Sequence, residues 1–285
     1  MLSQRIKSSI AMVLIFSLTY FFLDSIFFEF LVLLLGGFLL FELSNILKLN
    51  SVNKIFYWIL AATPIITQFL LSLSFSFSFF NSFLGSYESF LRHQIFEPYI
   101  LILIPFSLVF WFLIVPFDLI YKKISSNAVI KIFYGAVYIS PMLLTIMFIF
   151  WADKNFLFMI ILMIWLADIG AYFFGKKFGK FKIAKNISPG KTLEGLLGGF
   201  ISNIAFVLLW ATNTNINLLD GFLLAFLVTA LSLYGDIYES FLKRMAKIKD
   251  SSSMIPGHGG FLDRMDSFCP TIPILFILFE LFRYI

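Results

Sequence analysis

Residues 155–174 read NFLFMIILMIWLADIGAYFF, an apolar run of 20 residues that contains a single charged residue, Asp168. About 20 apolar residues are needed for one α-helix to cross the hydrocarbon core of a bilayer, which is ~30 Å thick. Similar runs recur at 8–24, 25–43, 55–73, 98–120, 129–151, 193–211, 218–236 and 267–284. The sequence therefore predicts an all-α, polytopic integral membrane protein with about nine transmembrane helices.

The composition excludes an ordinary soluble domain. Hydrophobic residues make up 60% of the 285 residues, 40 of which are phenylalanine, and the mean hydropathy is +0.96. We interpret residues 1–285 as one membrane domain, in which 1–150 form the scaffold and lipid cavity and 151–285 carry the chemistry. Residues 74–97 alternate like a strand at their start, but a lone strand leaves its backbone unsatisfied in lipid. We therefore expect an extension of the third span or an interfacial loop there.

The distribution of basic residues predicts the orientation in the membrane. Short cytoplasmic loops carry an excess of Lys and Arg. With the N-terminus in the cytoplasm, nine spans place 18 of the 21 basic residues on the cytoplasmic side and leave Arg92, Lys154 and Arg283 opposite. The first apolar run is expected to be retained as a helix, because no small-residue cleavage site follows it. We therefore expect the polar segments after the sixth and eighth spans to face the cytoplasm, with a bacterial inner membrane as the location.

Residues 240–266 read SFLKRMAKIKDSSSMIPGHGGFLDRMD and form the most polar stretch of a chain in which only 13% of residues are charged. If the eighth helix continues past Gly235, acidic and basic residues share one of its faces at the membrane surface. These residues are Asp236, Glu239, Ser240, Lys243 and Arg244. The glycines around His258 leave a backbone that can approach a phosphate closely.

Carboxylates at both ends of this stretch predict a site for a hard cation. Asp263 and Asp266 are three positions apart and would face the same way at the start of the last helix. Mg²⁺ prefers oxygen ligands, typically one or two protein carboxylates together with substrate phosphates. Asp236 and Asp263, brought together from two helices, would suit such a site. The alternative is that these acids only neutralise neighbouring Lys and Arg side chains at the lipid surface.

A second polar segment covers residues 165–199. Asp168 lies in an otherwise apolar helix, where an ionisable group costs about 2.5–3.5 kcal/mol on insertion scales, and this indicates a functional use. We expect the Pro-Gly pair at 189–190 to turn the chain before Lys191, and Thr192 to cap the seventh helix. The N-terminus of that helix would offer unpaired amides to an anion. The other lysines of the segment are explained by membrane topology alone.

Several catalytic signatures are missing from the sequence. Gly190-Lys191-Thr192 lacks the glycine that a P-loop requires five positions before its second glycine, since position 185 is lysine. No GxSxG, HExxH or CxxC motif occurs, and the single cysteine, Cys269, excludes an internal disulfide. Hydrolase and zinc chemistry therefore lose support.

The run S-x-L-K-R-x4-K-D-x-S-x2-I-P-x-H-G-G-F-x-D-R-x-D, from Ser240 to Asp266, resembles the signature of the CDP-diacylglycerol synthases, also called phosphatidate cytidylyltransferases. The stretches YGDIYES, ISPGKTLEGLLGG and GAYFFGKKFGK are similar to other blocks of that family. These motifs cover roughly the last 120 residues, whereas the first 150 match only in character. The resemblance implies that CTP and phosphatidate react to give CDP-diacylglycerol and pyrophosphate, with Mg²⁺ required and a second cation left open.

The resemblance also implies roles for individual residues. Asp236 and Asp263 would ligate the metal, with Asp266 and Glu239 as further ligands, and Asp168 would position a lysine or join the site. The catalytic set would comprise Asp236, Asp263, Lys191 and His258, the last as a proton donor to the departing pyrophosphate. The residues expected to bind substrate are Ser188, Thr192, Ser240, Lys243, Arg244, Lys249, Gly259, Gly260 and Arg264. A homodimer in the bilayer is a further expectation, and nucleic acid is not expected as a partner.

Three other readings stay open at this stage. One is a transferase that uses CTP with another lipid acceptor, such as a prenyl ether lipid or a polyprenol. Another is a transporter or channel, although transporter sites usually lie near the bilayer midplane and often within inverted repeats. The last is a structural membrane scaffold, which leaves the charged run unexplained.

Overall fold

A computed structural model describes residues 2–76, 102–211 and 217–283. Helices form almost all of the fold. They are α1 (Leu2–Ser17, followed by a π turn at Leu18–Phe22), α2 (Ser25–Ile46), α3 (Ser51–Ser76), α4 (Ile102–Tyr121), α5 (Ala128–Tyr138), α6 (Ser140–Ala152), α7 (Lys154–Phe178), α8 (Leu193–Ala211), α9 (Leu218–Ala246), α10 (Leu262–Met265) and α11 (Phe268–Arg283). The predicted helical fold is confirmed.

Six helical segments within these described ranges are long and apolar enough to cross a membrane. They are Ser25–Ile46, Ile102–Tyr121, Ala128–Ala152, Lys154–Phe178, Leu193–Ala211 and Leu218–Ala246. The fifth and sixth helices together form the third of these segments. Residues 77–97 of the segment predicted to extend the third span lie outside the described residues, and α3 ends at Ser76.

One element departs from an all-α fold. Strands β1 (Lys182–Ala184) and β2 (Ser188–Thr192) pair antiparallel between α7 and α8. The predicted turn at residues 189–190 is wrong, because the Pro-Gly pair lies within β2 and the chain turns between the two strands. The hairpin is short and polar, so no alternating apolar pattern announced it.

The chain divides into two compact units, which are described separately. The first comprises residues 1–147 and 248–264. In it α3 packs against α2 and α5, and aromatic rings fill the space beside α4. Phe110 stacks edge-on against Tyr134 and Tyr138, while the Tyr134 hydroxyl donates to Asp118 Oδ2 at 2.6 Å. Asp118 is therefore buried in the first unit together with the hydroxyl group that donates to it.

The second unit comprises residues 148–247 and 265–285. Helices α7 and α8 approach each other closely in this unit. A Cβ atom added at Gly170 of α7 would lie 2.7 Å from the Gly198 carbonyl oxygen and 3.0 Å from Gly199 Cα of α8, so only glycine fits there. Small residues allow this kind of tight helix packing in membranes. Helix α9 packs on α7, α8 and α11, so it contacts each of the other long helices of the unit.

Candidate active site

Lys191 and Asp236 form an ion pair in the second unit. Lys191 lies in β2, one residue before Thr192, and Asp236 lies in α9. Their side chains are 26% and 21% exposed, respectively. One turn further along α9, Ser240 donates its hydroxyl to Asp236 Oδ1 at 3.3 Å. The pair therefore sits in a partly buried position where electrostatic attraction is stronger than in water.

Asp168 of α7 and Asp266 of the turn before α11 add two carboxyl groups to this ion pair. Burial lowers the pKa of Lys191, but the charges of Asp236, Asp168 and Asp266 outweigh it, so the pKa lies above its ordinary value. Burial, together with the charges of Asp236 and Asp168, raises the pKa of Asp266. Asp168, Lys191, Asp236 and Asp266 are named the acidic cluster below.

The acidic cluster brings together residues from four separate elements. The carbonyl oxygen of Asp266 lies against the backbone of Gly235, a contact that any side chain at position 235 would block. This contact holds Asp266 beside α9. Asp236 is the next residue along α9. Helix α9 extends to Ala246, so the condition that the eighth helix continue past Gly235 is met.

The donor set of the cluster is compatible with a magnesium ion. Among the described residues, no group of three or more His, Cys, Asp or Glu side chains has an arrangement typical of a metal site. Mg²⁺ needs only one or two protein carboxylates, because it keeps several waters and also binds substrate phosphates. Asp236 already faces a cation, the ammonium group of Lys191. The remaining ligands of a Mg²⁺ ion bound at Asp236 would come from waters and from the phosphates of a nucleotide.

The remaining predicted groups of the second unit have identified positions. Thr192 accepts the Gly195 amide at 3.1 Å, which confirms that it caps α8. Glu239 is fully buried and pairs with Lys243 at 2.5 Å, whose side chain is 11% exposed. Arg244 is exposed, and Ser188 begins β2 opposite Ala184. The roles assigned to these residues stay predictions.

The first unit holds the loop 248–262, and this segment is named the signature loop. It closes a tight turn in which the Ile255 amide donates to the Gly259 carbonyl at 2.8 Å. Gly257 and Gly259 have φ values of 79° and 87°, a left-handed region that favours glycine. The glycines around His258 therefore form a tight turn. Lys249, at the start of the loop, is exposed.

His258 lies in this turn and contacts the first helix. Its Nδ1 is 2.7 Å from the Ser8 hydroxyl, which is also 3.1 Å from the Pro256 carbonyl oxygen. Because the hydroxyl has one proton, donation to Pro256 requires that His258 carry its proton on Nδ1. Arg264 donates to the His258 carbonyl at 2.8 Å. The backbone around His258 is thus fixed from two sides.

Asp263 anchors both ends of the signature loop. Its Oδ2 accepts the Ser251 amide at 2.9 Å and the Gly260 amide at 2.8 Å. The expectation that Asp263 and Asp266 share one helix face is wrong, since Asp263 belongs to α10 and Asp266 to the turn after it. Asp263 belongs to the first unit and Asp236 to the second, and their joint metal ligation stays a prediction.

The amino-acid sequence matches a known protein family. The sequence profile described as the cytidylyltransferase family matches residues 3–282. The chain belongs to the cytidylyltransferase family. The family resemblance drawn from motifs in roughly the last 120 residues is therefore confirmed, and the match also includes the first 150 residues, which resemble the family only in character.

Similar members of the cytidylyltransferase family carry a more specific name. Proteins named phosphatidate cytidylyltransferase match this chain at 42% identity over 120 residues in Haemophilus influenzae, 43% over 119 in Staphylococcus haemolyticus and 45% over 118 in Pseudomonas aeruginosa. These matches cover 40%, 41% and 40% of this chain and 42%, 46% and 44% of the respective relatives. The matched segment therefore spans less than half the length of each relative.

The sequence analysis missed one residue of this chain, Glu42 of α2. Glu42 is fully buried and accepts hydrogen bonds from the signature loop. The signal was available, because Glu42 is an ionisable residue within an apolar run, the same feature that drew attention to Asp168. It was overlooked because the predicted chemistry was placed in residues 151–285 only.

Proposed function

We propose that this chain transfers the cytidylyl group of CTP to phosphatidate and releases pyrophosphate, forming CDP-diacylglycerol for phospholipid synthesis. The observation that carries this proposal is the family match over residues 3–282. The relatives named phosphatidate cytidylyltransferase give the acceptor lipid. The acidic cluster supports the proposal, because it combines three carboxyl groups with one lysine.

The reaction needs little general-base catalysis. A phosphomonoester has a second pKa of about 6, so phosphatidate already carries a nucleophilic oxyanion at neutral pH. That oxygen forms a bond to the α-phosphorus of CTP, and the bond from the α-phosphorus to the bridging oxygen breaks. Pyrophosphate leaves with the electron pair. The main task of the protein is thus to bring two anions together and to stabilise the negative charge that develops.

Charged side chains of the chain suit this task. Burial would lower the pKa of Lys191, but the neighbouring carboxyl groups hold it above its ordinary value, so Lys191 can bind a phosphate as a full cation. We propose that Lys243, Arg244, Lys249 and Arg264 contact phosphates, with Ser188, Thr192, Ser240, Gly259 and Gly260 as polar support. His258 would donate a proton to pyrophosphate.

We propose Asp236 and Asp263 as ligands of Mg²⁺, with Asp266 and Glu239 as further carboxylates and room for a second cation. A bound divalent ion would screen the charge repulsion between nucleotide and lipid phosphate and stabilise the departing pyrophosphate. Asp236 would then exchange its ion pair with Lys191 for the metal, and this would free the Lys191 ammonium to meet a phosphate.

A decisive experiment measures product formation by purified protein in lipid vesicles with CTP, Mg²⁺ and phosphatidate. The expected result is equal release of pyrophosphate and CDP-diacylglycerol, with dCTP, ATP and UTP as nucleotide controls. Product formation only with a polyprenol or a prenyl ether lipid would replace phosphatidate by another acceptor. Absence of pyrophosphate with every lipid would refute the transferase and favour a carrier.

The membrane arrangement is part of the proposal. We propose nine spans in a single membrane domain, with the N-terminus and the site on the cytoplasmic side of a bacterial inner membrane, and a homodimer in the bilayer. Six apolar helices and the one-sided distribution of lysines support the arrangement. Labelling of single cysteines, introduced at positions 185 and 154 in a Cys269→Ser background, by a membrane-impermeant reagent should place them on opposite sides. Labelling of both from the same side would refute it.

A further inference from the structure

Glu42 is a fully buried carboxylate near the end of α2, in the first unit. Its oxygens accept hydrogen bonds from four groups of the signature loop. These donors are the Ser251 hydroxyl at 2.8 Å, the Ser252 hydroxyl at 2.6 Å, the Phe261 amide at 3.0 Å and the Leu262 amide at 2.7 Å. The two ends of the signature loop are therefore bound to one side chain, 209 positions away from Ser251 in the sequence.

The number of donors matches the capacity of the carboxylate. An ionised carboxylate has two oxygens and about four lone-pair sites, and it cannot donate. Burial of an unpaired charge is strongly unfavourable, so a buried carboxylate requires hydrogen-bond donors to remain charged. Glu42 obtains the Ser252 hydroxyl and the Phe261 and Leu262 amides as donors from a single loop, together with a share of the Ser251 hydroxyl, which makes its position and the conformation of the loop interdependent.

The contacts of Glu42 lead directly to Asp263. Ser251 Oγ lies 2.8 Å from Glu42 Oε2 and 2.9 Å from Asp263 Oδ2, and because the hydroxyl has one proton, the two carboxylates share this donor. Leu262, whose amide Glu42 accepts, is the residue before Asp263. A side-chain carbon at Gly260 would come 2.5 Å from Glu42 Oε1, so the loop approaches Glu42 as closely as a glycine allows.

We propose that Glu42 is a positioning residue, which fixes the signature loop so that Asp263 is held in one orientation for the reaction. The inference rests on the proposed function where it assigns Asp263 to the reaction. It gives the first 150 residues a direct part in the site, beyond the scaffold and the lipid cavity.

The test compares Glu42→Gln with Glu29→Gln. Glu29 is also a fully buried carboxylate of α2 and serves as the matched control. Glutamine keeps the size of the side chain, but its amide nitrogen donates where the loop also donates, so at least one pair of contacts is lost. Glu42→Asp retains the charge and is expected to restore part of the loss.

The first readout is amide hydrogen exchange of a peptide covering 251–262, measured in EDTA without nucleotide or lipid substrate. Glu42→Gln should speed exchange of the amides that Glu42 accepts, at Phe261 and Leu262, about tenfold or more, because protection requires an acceptor. Glu29→Gln should leave exchange in this peptide unchanged. Because no reaction is involved, this readout tests the contact even if the proposed function fails.

The second readout is the kinetics of cytidylyl transfer. Loss of an outer partner of a metal ligand typically lowers metal affinity or activity by about 10- to 100-fold. Glu42→Gln should raise the Mg²⁺ concentration for half-maximal rate by about tenfold and lower kcat, whereas Glu29→Gln should change neither. A merely smaller fraction of folded enzyme would lower kcat without moving the Mg²⁺ requirement. An unchanged Mg²⁺ requirement, or an equal change in Glu29→Gln, overturns the proposal.

Ser252→Ala provides the test if Glu42→Gln does not insert into the membrane. This variant keeps the carboxylate and removes one donor, so exchange of the 251–262 peptide should rise by a smaller factor and the Mg²⁺ requirement should rise with it. Combined with Glu42→Asp it should add less than the product of the two single effects, because both act through one contact. Wild-type exchange and kinetics in Ser252→Ala, or independent effects in the double variant, overturn the proposal.

Discussion

Replacement of Lys191 by methionine tests the acidic cluster most directly. The change leaves Asp236 beside Asp168 and Asp266 without the ammonium group that now offsets their charge. Breaking a fully buried ion pair costs about 3–5 kcal/mol, whereas an exposed pair contributes roughly 0.2–1 kcal/mol. With side chains 26% and 21% exposed, the Lys191–Asp236 pair lies between these limits. We expect a loss of about 1–3 kcal/mol in the free energy of unfolding.

The assay is thermal unfolding of the purified protein in detergent, together with the rate of cytidylyl transfer. For a chain somewhat above 150–250 residues, about 1 kcal/mol corresponds to roughly 2–4 °C in Tm, so Lys191→Met should lower the apparent Tm by about 5 °C. Lys185→Met, an exposed lysine of the same hairpin connection, is the matched control and should leave Tm unchanged. Transfer activity should fall in Lys191→Met and persist in the control.

The double variant Lys191→Met/Asp236→Asn separates stability from catalysis. It removes the uncompensated carboxylate, so Tm should recover toward the wild-type value, because deletion of both partners avoids an unpaired charge. Activity should not recover, since both groups are assigned to the reaction. Equal Tm values for Lys191→Met and Lys185→Met, or a double variant less stable than Lys191→Met, would refute this account of the cluster.

Three further predictions concern the loop, the helix packing and the pH dependence. Asp263→Asn should leave the protein inserted in the membrane and abolish CTP-dependent CDP-diacylglycerol formation in a radiolabel assay, whereas Asp250→Asn, at an exposed neighbouring position, should not. Gly170→Ala should lower stability by about 1–3 kcal/mol through overpacking against α8, while Gly37→Ala, where a methyl group meets no atom within 4 Å, should not lower Tm; equal Tm values would contradict the packing. Because the Lys191 pKa is raised above 10.5, its contribution to stability should be fully present below that pH and be lost as the pH rises through the folded value; a Tm difference between wild type and Lys191→Met that vanishes near pH 7 would contradict it.

The helices could be predicted because hydropathy is a local property. The window 193–211 coincides with α8, and 155–174 lies within α7. Helix α9 begins where the window 218–236 begins, but it continues ten residues further into the polar segment, to Ala246. The reason is that α9 keeps helical spacing of buried residues after its apolar run ends, with Tyr238, Phe241 and Leu242 all buried.

The sequence identified several residues of the acidic cluster, but it did not identify which residues contact each other. Lys191 and Asp168 were singled out from one polar segment, yet nothing local indicated that Lys191 pairs with Asp236 of α9. The hairpin that presents Lys191 was not predicted, because β2 contains Pro and Gly and both strands are short and lack clear alternation. Partners that lie on different elements are chosen by tertiary packing, which a periodic pattern does not encode.

Glu42 could have been identified from the sequence by the same rule that identified Asp168. An ionisable residue within an apolar run must find partners or neutralise, whichever element supplies them. Asp168, Asp118 and Glu42 all satisfy this rule, and each has an electrostatic or hydrogen-bond partner in the structure. The rule identifies the residue, while the partner of Glu42, the signature loop, lies at the other end of the chain. An isolated acid in an apolar helix therefore predicts a polar partner elsewhere in the chain, which is a single hydroxyl for Asp118 and a whole loop for Glu42. Glu42→Gln measures how much the signature loop depends on that contact.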